Sequence, residues 1–228
     1  MKRVITISLC CLSVLLFCLT GCSKEEEKSI HDKLDAELEY IEDLIFKIAN
    51  KYAKNEYDEE DKINWQWIKD DVGKMNDAWG TLILDLTEVD IQNQDIMEFS
   101  KDLNDLIIAM HDENAQNMLN ELSDMYKRII IFKQAYSEDK NKIQKNKIKS
   151  GTLSVYTFIH KEDWTGAKTE IDGIIENYKS LMNDIHYTEE NGYNLNKIYV
   201  LLEEYRISIQ TQNYDLARMK YITTVENL

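Results

Sequence analysis

The chain has no proline in its 228 residues, only seven glycines, and no cysteine beyond Cys22. Each shortage excludes a class of structure. Tight turns between short strands draw on proline and glycine, so a strand-rich fold is poorly supplied. A loop that cradles phosphate needs clustered glycine, and there is no such cluster. The four cysteines are Cys10, Cys11, Cys18 and Cys22, which leaves the long remainder without a thiol for a disulfide, a nucleophile or a zinc site. Basic residues are scarce as well: 27 Lys and Arg stand against 42 Asp and Glu, for a net charge of −15. Nucleic-acid binders are basic, so no nucleic-acid partner is expected. Gly-x-Ser-x-Gly, His-Glu-x-x-His, paired Glu-x-x-His and Cys-x-x-Cys-His are all missing. The chain therefore reads as non-catalytic, without cofactor or metal.

The amino-terminal segment is of a different kind. Lys2 and Arg3 precede a span from Val4 to Leu19 that only Thr6, Ser8 and Ser13 interrupt. Its 16 residues fall short of the ~20 that a membrane-spanning helix needs. A basic start, a short apolar core and small residues after it describe a secretory signal. Leu19-Thr20-Gly21-Cys22 resembles the bacterial lipobox. The resemblance implies cleavage after Gly21 and acylation of Cys22, with palmitate-type chains, on the extracytoplasmic face of a cell membrane. If the cell has an outer membrane, Ser23 is compatible with export to it. Two acyl chains give stable anchoring where one does not. An uncleaved anchor, or an ordinary signal with a chance cysteine, is the alternative. Residues 1–21 are then the signal and 22–30, with "SKEEEKS", a tether. Eight extended residues reach about 26–29 Å, which keeps the body near the bilayer.

From 31 to 228 the apolar residues recur at helical spacing. "NWQWIKDDVGKMNDAWGTL" (64–82) aligns with "DWTGAKTEIDGIIENYKSL" (163–181). Trp65, Ile68, Val72, Met75, Trp79 and Leu82 match Trp164, Ala167, Ile171, Ile174, Tyr178 and Leu181, tracing one helical stripe. "NYDLARMKY" from Asn213 repeats the opening, and a fainter copy starts near Asp112. Asn64, Asp163 and Asn213 are typical N-caps. The pattern predicts an all-α fold of four hairpins, each of roughly 50 residues. First helices are expected at 31–54, 90–110, 143–160 and 194–211, and second helices at 62–86, 113–138, 163–185 and 214–227. Cap, aromatic, two residues, then a small residue resembles the turn of tetratricopeptide-like hairpins. That family's 34-residue period, turn glycine and closing proline are absent. A bundle and a superhelical array both fit.

Five features could carry function. Trp67 lies about 100° off its helix's apolar stripe. It is either a binding anchor or packed on the first helix near Tyr52 or Ile48. "KNKIQKNKIK" (140–149) holds five lysines and no acid, with Lys142, Lys145 and Lys149 on one face. These either meet an anionic partner or form a solvated connector between halves 31–138 and 150–228, with Ser150-Gly151 as a break. "RIIIF" (128–132) predicts a helix buried nearly all round. His186-Tyr187-Thr188-Glu189 has the His-x-x-Glu spacing of imelysin-like proteins, without that family's preceding glycine. His31, His111 and His160 read as exposed capping residues at helix ends. The resulting expectation is a lipid-anchored docking or scaffold module for a protein or peptide partner at the cell envelope. Alternatives are a receptor for a small ligand or cation in a cavity between helices, and a hydrolase of unknown type, which would need a buried, mutually bonded acid or histidine pair.

Overall fold

In a computed structural model of the chain, residues 30–56, 63–89, 91–137, 139–184 and 189–228 are described, apart from the side chains of 184 and 189–193. They form eight helices and, among the described residues, no strand. The first, α1, spans 30–55. It is followed by α2 (Trp65–Leu86), α3 (Asn93–His111), α4 (Ala115–Tyr136), α5 (Lys140–His160), α6 (Trp164–Asp184), α7 (Glu189–Gln210) and α8 (Tyr214–Val225). All-α architecture, as the apolar spacing predicted, is what the chain adopts.

Side-chain caps set several helix starts. Asn114 accepts from the Asn117 amide, Asp163 from Gly166 and Asn213 from Leu216, each three residues on. Asp139 accepts from Asn141 and Lys142, so α5 begins at Lys140, earlier than the expected 143. The turns before α4, α6 and α8 share one geometry. Glu113, Glu162 and Gln212 have φ of 52°, 59° and 52°. Each of their amides bonds the carbonyl three residues back, at Met110, Ile159 and Ile209. Asn114 and Asp163 then reach five residues back, to Ala109 and Phe158. This is the Schellman ending, with Glu or Gln in the left-handed position that glycine usually fills. The substitution costs roughly 1–2 kcal/mol at each turn. The three positions lie 49 and 50 residues apart. Asn64, before α2, instead caps the amide two residues on, Gln66.

Consecutive helices pack on one another, and α5 also packs on α8. α1 joins the rest. Between Ile41 and Ala53, nine of 13 residues are buried. Lys47 of α1 pairs with Asp71 of α2 at 2.7 Å, and Phe46 meets Tyr126 of α4 edge-on at 4.8 Å. Arg218 of α8 donates to the Ala53 carbonyl, and Lys54 pairs with Glu226 at the carboxyl end of α8. The first and last helices therefore touch. Trp79 packs on Phe99 with ring centres 4.1 Å apart and tilted, and donates its indole N–H to Ser100 Oγ at 2.9 Å, tying α2 to α3.

Two expectations fail here. Ser150-Gly151 is not a break: both residues are buried inside α5. A Cβ at Gly151 would stand 2.6 Å from Ile174 Cγ1, so the missing side chain is what lets α6 approach. The helix buried nearly all round is this half of α5, not 128–132 on α4, where Ile131 is exposed. Small hydroxylated residues hid it from a reading of hydropathy. Their polar atoms are bonded locally: Thr152 to the Ile148 carbonyl, Thr157 to the Ser154 carbonyl, and Ser154 to Ser123 of α4 at 2.9 Å.

Candidate functional site

The residues nominated from sequence do not converge. Cys22, with the whole of 1–29, lies outside the described residues, as do residues 186–188 and the Glu189 side chain. Trp67 is half-buried and packed against the core, with Lys51 Nζ of α1 4.2 Å from its ring centre. That is a cation–π contact, and it covers the indole face through the residue next to Tyr52. The three lysines go separate ways. Lys142 pairs with Asp35 at 2.9 Å and Glu39 at 2.8 Å on α1. Lys149 sits 4.3 Å over the Phe46 ring. Lys145 points to the other side of α5 and lines a cavity between α5, α6 and α7. The lysine face thus divides between a clamp on α1 and the mouth of a cavity.

A polar network missed by the sequence reading gathers four helices. Glu56, just past α1, accepts from Tyr214 of α8 at 2.6 Å and Tyr156 of α5 at 3.0 Å through Oε2. Its Oε1 lies 3.2 Å from His160 Nε2 and 3.4 Å from the Tyr52 hydroxyl. His160 is mostly buried, with 14 % of its side chain exposed, so it is not the open capping residue expected. Gln116 of α4 gives its amide protons to Asn120 Oδ1 and the Thr157 carbonyl, which turns its Oε1 toward His160 Nδ1 at 2.8 Å. Nδ1 therefore carries a proton. Nε2 faces both the carboxylate and Tyr52, the latter at 3.0 Å.

Burial pushes the Glu56 carboxyl up, but the bonds from His160, Tyr214 and Tyr156 outweigh it and hold the group below the ordinary carboxylate range. Tyr214 and Tyr156 are driven up, foremost by burial. The hydrolase reading asked for a buried, mutually bonded acid or histidine pair, and Glu56 with His160 is one. Every ring nitrogen and carboxylate oxygen of the pair already has a protein partner. Chemically the arrangement is a clasp between helix ends. Apart from Tyr52, four residues back, the partners of Glu56 lie 100 to 158 residues away, so no local pattern points to them.

Leu84 of α2 and Met97 and Ile108 of α3 are exposed apolar residues, and two further open features lie on the later helices. The cavity beside Lys145 has a volume of about 230 Å³. Ile148, Leu181, Leu195 and Ile198 form most of its wall, and Tyr178 closes one side with its hydroxyl donated to the Leu195 carbonyl at 2.9 Å. The second feature is the outer surface of the last hairpin. Val200 and Ile207, seven residues apart on α7, are 52 % and 55 % exposed. Met219 of α8 is 58 % exposed and Leu216 37 %. Apolar residues therefore fall on both faces of these two helices.

Among the described residues no helix is long and apolar enough to cross a membrane, and no group of His, Cys, Asp and Glu is arranged to hold a metal ion. No family model, no curated protein and no solved structure matches the chain.

Proposed function

We propose that the protein is a lipoprotein held at the extracytoplasmic face of a cell membrane by acyl chains on Cys22, and that its helical body is a non-catalytic docking module for a protein or peptide partner. The observation that carries the docking reading is the last hairpin. A large apolar residue exposed on a helix is ordinary when single. Four on two neighbouring helices, opposite their buried sides, give a partner an apolar surface, and Leu84, Met97 and Ile108 on α2 and α3 are as exposed. The polar chemistry of the body supports the same reading, because Glu56, His160, Glu42 and Lys133 hold helices to one another. Anchoring through a lipobox cysteine and a short tether would put the hairpin within reach of other envelope proteins, in keeping with this reading.

The test has two arms. Cys22→Ser should abolish incorporation of labelled palmitate and release the protein from the membrane fraction. A photo-reactive side chain at Ile207 or Met219 should crosslink one discrete partner in intact cells, while one at the exposed Lys127 of α4 should not. Equal crosslinking at all three positions, or none at any, would contradict docking at the last hairpin.

A further inference from the structure

The cavity between α5, α6 and α7 offers a second kind of binding, independent of the docking surface. Its wall is aliphatic: Ile148, Leu181 and Leu195 are almost wholly buried, and Ile198 is half-buried nearer the opening. Its polar groups differ in kind from those elsewhere. Lys145 is the one charged side chain among the described residues that line it, and Asn194 is the one side-chain amide. Both are exposed, so both stand at the mouth. Among the described residues no aspartate or glutamate side chain is in the lining, which Leu228 completes. The Tyr178 hydroxyl is directed to the Leu195 carbonyl, so the deep wall presents carbon.

We propose that this cavity binds a small aliphatic anion, chain inward and carboxylate at Lys145. Size sets the upper bound. A volume of 230 Å³ exceeds the ~150 Å³ of an engineered apolar cavity that takes up benzene. It lies below the usual ~300–1,000 Å³ range of ligand pockets. At roughly 30 Å³ for each water-sized unit, there is room for about eight non-hydrogen atoms, the size of hexanoate. Sign sets the class. A cation would meet the ammonium of Lys145 with no side-chain carboxylate opposite it among the described residues, whereas a carboxylate would pair with that ammonium.

Lys145 is also the probe. The full chain in lipid nanodiscs is treated with an amine-acylating reagent, and modification of Lys145 is compared with that of exposed Lys147 by peptide mass spectrometry. Hexanoate at several times its Kd should slow acylation of Lys145 about fivefold, as mass action requires, and leave Lys147 unchanged. Hexanol and hexylammonium at the same concentration should protect neither. Leu181→Trp, which fills the cavity, should abolish protection. Ile198→Trp, at a half-buried position, repeats the test in case the first variant loses helix content. Protection of both lysines alike, protection by hexylammonium, absence of protection in the parent chain, or protection that survives a filled cavity would each overturn the proposal.

Discussion

Glu42 and Glu56 stand 14 residues apart on the α1 segment, and each meets a base from a distant helix. Glu42 Oε2 lies 2.9 Å from Lys133 Nζ of α4, and only 1 % of the lysine side chain is exposed. Its Oε1 has no hydrogen-bond partner among the described residues. Burial pushes the Glu42 carboxyl above its ordinary range, and Lys133 offsets this only in part. Glu56 is also largely buried, yet its carboxyl is held low because both oxygens are bonded. The contrast shows that burial does not decide the state of an interior acid. The number of donors aimed at it does. One site is an ion pair enclosed in the core, and the other is a clasp at the core's end.

Removing one partner of the enclosed pair should have the largest effect. Lys133→Ala leaves Glu42 buried and unpaired, and chemical denaturation should show a loss of ~3–5 kcal/mol. Replacing both together, as Glu42→Leu with Lys133→Met, should be near neutral or stabilising, as for other buried pairs exchanged for apolar residues. A double variant as weak as the single one would break the comparison.

The clasp comes next. Glu56→Gln exchanges charged hydrogen bonds for neutral ones and should cost about 1.5–3 kcal/mol at neutral pH. The pH dependence separates the two acids. Glu56 has a lower folded than unfolded pKa, so its stabilisation is complete above the unfolded value and lost as pH falls through the folded value. Glu42 has a raised folded pKa, so its ionisation opposes folding above that value and acid relieves the opposition. Glu56→Gln should flatten the acid limb of a Tm–pH profile, and Glu42→Gln should steepen it. The same sign for both would show that the donors at Glu56 do not matter.

Two tyrosines sharpen the point on a smaller scale. Tyr214→Phe removes a donor to Glu56 and should cost ~1–2 kcal/mol. Tyr221, stacked 4.3 Å from Tyr156, has a buried hydroxyl with no partner among the described residues. Tyr221→Phe should be neutral or slightly stabilising, because an unsatisfied buried hydroxyl is itself a cost. The smallest effect belongs to Glu121, pushed up to about 7 by partial burial and by Asp102, Asp105 and Asp124. Glu121→Gln should raise stability at pH 8 by less than about 1 kcal/mol, given its partial exposure to solvent. Below about pH 4, under the unfolded value, where the carboxyl is protonated in both states, the difference should vanish.

The eight helices were legible in the sequence because local signals mark them. Asn114, Asp163 and Asn213 cap as their residue types predict, and the stripe through Val72, Met75 and Trp79 is buried. The left-handed residues Glu113, Glu162 and Gln212 were not legible, since glycine is the usual marker of that conformation. Burial of 150–157 escaped notice because the segment's Ser and Thr hydroxyls are satisfied within the structure, which hydropathy does not record. The clasp was hidden for a different reason: Glu56, Gln116, His160 and Tyr214 meet only after the chain has closed on itself. Trp67 stood out by its angle on the helix, but the lysine that covers it belongs to another helix.

Function in this account depends on where the body is held, and that depends on Cys22. The most direct measurement is the mass of the amino-terminal peptide of the protein purified from its native membranes. The account predicts a peptide that begins at Cys22 and carries a diacylglyceryl group. An unmodified cysteine, or residues 1–21 still attached, would contradict it.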